Sequence, residues 1–280
     1  MSFQQYQPSS FNFLPVVVKN LLIINGIMLL AEFVFEKQLG YSFNQEFGLY
    51  YPLSQLFNPY QYLTHLFLHG GFWHLLFNMW LLWMMGTTLE NYWGSARFLS
   101  YYLATGLGAA VIHNLSTWYE INQLTAEIQT YAQSPNIMDF LALMKGHLRY
   151  ISGSSLDEIN AFVNVWEMSP DDQMLVNQSV NWANQLIEYK MDIPVIGASG
   201  AVYGTLLAFG MLFPNSVIYL YFAIPIKAKY LVILLGLIEL YAGFSNNPGD
   251  NVAHFAHLGG MLFGFFLIKF WNRTDRNRFY

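Results

Sequence analysis

The sequence contains no cysteine, which excludes disulfide staples, thiolate nucleophiles and cysteine-ligated metal centres. Charge is also scarce. Asp, Glu, Lys and Arg supply 10% of the 280 residues, where soluble domains carry roughly a quarter. Water is therefore not the main solvent of this chain, and neither a nucleic-acid partner nor a cofactor is expected. Also missing is an N-terminal stretch with a basic flank, a short apolar core and a small-residue cleavage site, so the first apolar block reads as a retained segment and not a removed signal.

Hydrophobic residues, by contrast, reach 55% and aromatics 18%. They gather into six blocks, roughly 14–35, 72–89, 96–115, 196–213, 230–246 and 252–271. Each is apolar nearly all round and about as long as a helix must be to cross the hydrocarbon layer. An even number of spans puts both termini on one side. Lys19, Arg97, Lys227, Lys229, Lys269, Arg273, Arg276 and Arg278 fall near span ends on that side, which the positive-inside rule makes cytoplasmic. The expectation is an all-α membrane protein inserted in the cell (inner) membrane.

Three regions follow: spans one to three with their first loop (1–117), a polar insert (118–192), and spans four to six with a C-terminal tail (193–280). The first loop, 36–71, is rich in Tyr, Phe and Leu and suits the water–lipid boundary. The insert carries ten acidic residues against three basic ones and reads as soluble, extracytoplasmic and helical. Helix starts are expected at Ser134-Pro135, at Ser155 with Glu158 as a capping box, and at Ser169-Pro170-Asp171-Asp172. Leu156, Ile159, Phe162, Val163 and Trp166 recur at helical spacing, which points to packing within the insert.

Three constellations carry possible chemistry. Gly197-Ala198-Ser199-Gly200 opens the fourth block, followed by Tyr203 and Gly204. Serine and glycine are common at packed membrane helices, so this alone is weak. The sixth block begins Ala253-His254-Phe255-Ala256-His257-Leu258-Gly259-Gly260, with Gly264 beyond. Its small-residue stripe lies near the His257 face, and matched to Gly200 and Gly204 it permits the close approach that would bring imidazole to a serine hydroxyl. The glycine phasing favours His257 over His254 as base. In the second block His74 and Asn78 share a helical face at membrane depth, where polar residues are functional hypotheses by default. Both are suitable oxyanion donors, although interhelical hydrogen bonding is the plainer role. His65, His69 and His74 also invite a metal reading, which Gly70-Gly71 and the absence of a nearby acidic ligand disfavour.

Together these residues resemble the rhomboid family of intramembrane serine proteases. Phe57-x-Pro59-x-Gln61-x-x-Thr64-x-x-Phe67-x-His69-Gly70-Gly71-Phe72-x-His74-x-x-x-Asn78 is similar to that family's first-loop to second-span signature. Gly86-x-x-x-Glu90-x-x-x-Gly94 resembles the turn after it, and the Ser199 and His257 segments resemble its catalytic fourth and sixth spans. The resemblance implies a six-transmembrane-helix rhomboid bundle, and a water-filled site opening outward. It further implies Ser199 as nucleophile, His257 as base, His74, Asn78 and the Ser199 N–H as oxyanion donors, and Tyr203 stacked on His257. Gly197, Gly200, Gly260 and Gly264 would support this arrangement. A dyad is implied, with no carboxylate near the upper ends of spans two, four or six except Asp250. The loop Phe244–Asp250 is expected to act as a mobile lid. Transmembrane proteins would be the substrates and the bilayer the medium. The alternative is a rhomboid-like protein that binds membrane clients without cutting them. Two departures stand out: the first loop has no Trp-Arg pair, and the insert is far longer than in the simplest members.

Overall fold

Each apolar block becomes a helix in the computed structural model, which describes residues 11–220, 224–245 and 252–276. Helix α1 (Val16–Leu39) ends on Gly40, whose φ of 64° closes it in the left-handed region. The first loop holds two short helices, α2 (Phe43–Phe47) and α3 (Gln61–Thr64). A single rod then runs from α4 (Phe72–Leu81) through one π-turn at Leu82–Gly86 into α5 (Thr87–Trp93). Next comes α6 (Ser95–Tyr131), 37 residues without a break. The insert continues with α7 (Ile137–Gly146), α8 (Gly153–Met168) and α9 (Gln173–Met191). The last stretch is α10 (Ser199–Leu212), strands β1 (Val217–Leu220) and β2 (Ile224–Lys227), α11 (Ala228–Phe244) and α12 (His254–Arg276).

The fold is mostly helical, with one correction to an all-α expectation. Strands β1 and β2 form an antiparallel hairpin that pairs Val217 with Lys227 and Leu220 with Ile224. Val217, Ile218, Tyr219, Ile224 and Ile226 are the β-branched and aromatic residues that favour strands. On length and composition, α1 alone among the described helices is long and apolar enough to cross a membrane. The other blocks give shorter or more polar-ended helices.

Glycine brings α6, α10 and α12 together. A Cβ on Gly260 of α12 would lie 1.9 Å from the carbonyl oxygen of Gly200 on α10. One on Gly200 would meet Ala109 of α6 at 2.4 Å, and one on Gly204 would meet Thr105 at 2.6 Å. On Gly264 it would strike the Tyr101 hydroxyl, which itself donates to the Gly204 carbonyl at 2.9 Å. These helices touch backbone to backbone, as small residues allow. Around them Leu82, Phe98, Tyr101, Leu206 and Ile268 form one core. On the outside, Ile27, Leu30, Ile233, Leu237, Phe266 and Phe270 stand exposed, a continuous apolar character that water would penalise and lipid would not.

Helix α1 has Pro15 at its N-cap and no capping side chain of its own. Glu90, from the end of the neighbouring rod, supplies it: the carboxylate accepts from Val17 N at 2.9 Å and Val18 N at 2.8 Å. The same carboxylate accepts from Ser95 Oγ at 2.6 Å. A buried carboxylate at the positive end of the helix satisfies two otherwise orphaned donors.

The insert has a separate core of Leu124, Ile128, Phe140, Ile159, Phe162, Trp166 and Leu186. Its helices begin at caps other than those expected from sequence. Asn136 caps α7 by accepting from Asp139 N at 2.9 Å, and Asp172 caps α9 by accepting from Met174 N at 2.8 Å. Ser152 accepts from Ser155 N and starts α8 three residues before the expected capping box. At 169–172 the chain makes a turn instead of a helix start, since Asp172 N donates to Ser169 O and Pro170 O receives the Trp166 indole N–H.

Candidate active site

The first loop is stitched by the polar residues of its motif. Gln61 is buried; its Oε1 accepts from Asn58 N at 3.0 Å, and its Nε2 donates to Leu56 O at 3.0 Å and Glu46 O at 3.2 Å. Thr64 Oγ1 donates to Phe47 O at 2.7 Å. Spacing of this kind is therefore a loop-folding code: each side chain satisfies backbone groups that have no ladder or helix partner. The folded loop then grips the entry to α10. Leu49 and Val195 exchange two backbone hydrogen bonds of 2.9 and 2.8 Å, and Gly197 N donates to His65 O at 2.9 Å. Ser54 Oγ donates to Asp192 Oδ1 at 2.6 Å at the insert's end.

His65 is buried with Nδ1 2.8 Å from Gln61 O, and burial lowers its pKa to about 4. It is a neutral structural imidazole. His69 is buried too, its ring edge-on to that of His74 at 5.1 Å.

Ser199 is the first residue of α10, held at the mouth of the helix by this loop. Its Oγ lies 2.8 Å from His257 Nε2, across from the first turn of α12. Tyr203, one turn below Ser199 on the same face, stacks on the His257 ring at 4.3 Å between centroids and 5° between planes. The structure thus brings together Ser199, His257 and Tyr203. His74 of the second block lies at the same spot, and Asn78 follows one turn further along α4. A Cβ built on Gly197 would sit 3.2 Å from His74 Nε2 and 3.4 Å from Ser199 Oγ. Gly197 has φ 129°, where a side chain is disfavoured and here would also fill the space between hydroxyl and imidazole.

His74 Nδ1 accepts from Gly70 N at 3.2 Å, which leaves Nε2 as the protonated nitrogen facing that space. Asn78 Nδ2 donates to His74 O at 2.9 Å, and its second amide hydrogen is not used by that bond. Behind Ser199 lies a cavity of about 20 Å³ lined by His65, Val195, Gly197, Gly200 and Ala256 among others.

One participant escapes the sequence reading. Glu239, buried in the middle of α11, turns its carboxylate to the back of the histidine. Its Oε1 receives the Tyr203 hydroxyl, and its Oε2 lies 2.6 Å from His254 Nδ1 and 2.9 Å from His257 Nδ1. The contact to His257 is short, yet its angle lies outside that of a hydrogen bond, so Nδ1 is a buried nitrogen with no hydrogen-bond partner. The carboxylate comes from α11, a block without a catalytic motif of its own. Glu239 was findable as the one ionisable residue inside an apolar run, Ile233 to Tyr241. His254 faces Glu239 and not Ser199. Glu239, His254 and His257 bring one ligand-type atom each to within 4.8 Å of one another, a donor set with the chemistry to hold a transition metal. Asp250 and most of the expected lid, 246–250, lie outside the described residues.

The sequence matches the Rhomboid domain over residues 57–120 and 173–273. The match is interrupted across the stretch that holds α7 and α8. An uncharacterized mitochondrial rhomboid protein of Schizosaccharomyces pombe is 27% identical over 249 residues, covering 82% of this chain and 57% of that protein. The rhomboid protease GluP of Bacillus subtilis is 47% identical over 49 residues, 18% of this chain and 10% of its own length. The chain thus spans little more than half of the first relative and a tenth of the second. With the domain matched over more than half of its residues, and with glycine-packed helices around a serine and a histidine, this chain belongs to the rhomboid family.

Proposed function

We propose that the protein is an intramembrane serine endopeptidase that cleaves transmembrane segments of other membrane proteins through Ser199 and His257. The observation that carries this reading is the 2.8 Å contact between Ser199 Oγ and His257 Nε2 at the mouth of α10. A serine hydroxyl is a poor nucleophile until a base accepts its proton, and His257 is seated to do so.

In this mechanism Ser199 Oγ forms a bond to the scissile carbonyl carbon while its proton passes to His257 Nε2. The carbonyl π pair moves onto oxygen, which occupies the space beside Gly197 and receives the His74 Nε2–H and the Asn78 amide. Collapse breaks the C–N bond as His257 returns the proton to the leaving amine. Water, activated by the same histidine, then releases the acyl group. Because a membrane helix keeps its carbonyls hydrogen-bonded, the substrate must unwind locally before attack, favouring targets with small or helix-breaking residues near the cut.

The accompanying topology has six spans formed by α1, the α4–α5 rod, α6, α10, α11 and α12, with Lys19, Arg97, Lys227, Lys229 and Lys269 on the cytoplasmic side. The first loop and the insert then lie on the opposite side, with the active site opening toward them. The mitochondrial relative leaves the choice of membrane to localisation experiments. The test is cleavage of a transmembrane substrate by detergent-purified protein: Ser199→Ala and His257→Ala each abolish it, whereas wild-type rates in both variants would refute the mechanism. The non-cutting client-binding alternative predicts that a fluorophosphonate probe leaves Ser199 unlabelled.

A further inference from the structure

We infer that Glu239 is a positioning residue that anchors both the base and its stacking platform, turning the serine–histidine pair into a carboxylate-backed triad. This rests on the dyad proposed above.

Three observations converge on it. First, His257 Nε2 must be unprotonated to accept the serine proton, so the ring's hydrogen sits on Nδ1. That nitrogen is buried, and the acceptor facing it at 2.9 Å is Glu239 Oε2. Second, the other oxygen of the same carboxylate receives the Tyr203 hydroxyl, and Tyr203 is the ring against which His257 lies flat. One side chain therefore lies against the edge of the imidazole and, through tyrosine, supports its face. Third, Glu239 comes from α11, whereas Ser199 and Tyr203 come from α10 and His257 from α12. A carboxylate buried between three helices has no reason to be there for solvation. His254 shares Oε2 at 2.6 Å and holds the carboxylate in place from the start of α12.

During attack the serine proton moves to Nε2 and His257 becomes an imidazolium with hydrogens on both nitrogens. A rotation of the carboxylate that brings its 2.9 Å contact into line makes Glu239 the acceptor for Nδ1–H. Glu239 stays ionised throughout; the proton leaves through Nε2 to the amine. Its role is the one a carboxylate plays in soluble serine proteases: selecting the tautomer and stabilising the imidazolium.

The test compares Glu239→Gln, Glu239→Asp and Ser199→Ala in the purified full chain, measuring kcat, KM and thermal stability with one transmembrane substrate. Expected for Glu239→Gln is a fall in kcat of about 10²-fold or more with KM within a factor of about three, and slower fluorophosphonate labelling of Ser199 by a similar factor. Glu239→Asp, which keeps the charge, recovers most of the lost kcat. Wild-type kcat in Glu239→Gln overturns the inference. So does an equal loss in both variants accompanied by raised KM and a lower melting temperature, which marks a packing role. Stoichiometric zinc or nickel in the purified wild type that disappears in Glu239→Gln makes the residue a metal ligand and overturns it as well. Ser199→Ala separates the two proposals: if it cleaves normally the protease reading fails, while a dead Ser199→Ala beside a fully active Glu239→Gln sinks only the role of Glu239.

Discussion

Replacing Gly260 by alanine probes the backbone contact between α12 and α10. The added methyl carbon would stand 1.9 Å from the Gly200 carbonyl oxygen and 2.7 Å from its carbon. Contacts under 3.0 Å are not tolerated, and the obstacle is backbone, so α12 must retreat from α10 by about 1.1 Å. Ser199 adjoins Gly200 and His257 lies one turn before Gly260, so this retreat would stretch their 2.8 Å contact to about 4 Å, beyond hydrogen-bond reach. A misplacement of that size costs about 10²-fold in rate. Overpacking should also cost about 1–3 kcal/mol of stability. The assay is cleavage of a fluorogenic transmembrane substrate in detergent, with thermal unfolding followed in parallel. Gly26→Ala on α1, where nothing lies within 4 Å of the added carbon, is the control; it should leave activity unchanged and stability equal or higher. If Gly260→Ala folds and cleaves within about threefold of wild type, the claim that glycine packing sets the Ser199–His257 distance is wrong.

Glu90→Ala removes the acceptor for two N–H groups of α1 and should lower stability by about 2–4 kcal/mol in thermal unfolding, with Glu90→Gln recovering part. His65 is neutral in the folded protein, with a pKa of about 4, whereas in the unfolded chain it takes a proton near pH 6.5. Its contribution is therefore intact above pH 6.5 and lost as pH falls toward 4, up to about 3 kcal/mol. His65→Gln should accordingly flatten the melting temperature profile between pH 7 and 4.5. Trp166→Ala empties the centre of the insert's core, where the indole is 1% exposed. A loss of about 3–5 kcal/mol is expected there, visible as new protease cuts within 132–172.

The apolar blocks were legible as helices because each is longer than a buried core strand and apolar on every face. Ser199 and His257 were legible through the glycines beside them, since a stripe of small residues marks where backbones meet. His74 and Asn78 were legible as polar residues on one helical face. Glu239 stood out only as a lone carboxylate in an apolar run; its partners are 36, 18 and 15 positions away, so no local pattern tied it to the site. The insert's caps were missed by two or three residues. Asn136, Ser152 and Asp172 start the helices two or three residues away from Ser134, Ser155 and Ser169, and only the path of the turn decides which oxygen reaches a free N–H two or three residues on. The β-hairpin was hidden because a strand of four apolar residues next to a helix has no distinguishing period.

Helix α6 joins two cores that are otherwise separate. Near its start, Thr105 and Ala109 bed α10 and α12; further along, Leu124, Ile128 and Tyr131 enter the insert's interior. Its 37 residues make a rod of about 55 Å with no glycine or proline after Gly108 to act as a joint. The insert is thus mounted on a shaft, not tethered by a hinge. A torque applied to it by a bound protein would be delivered to the face on which α10 and Ser199 rest.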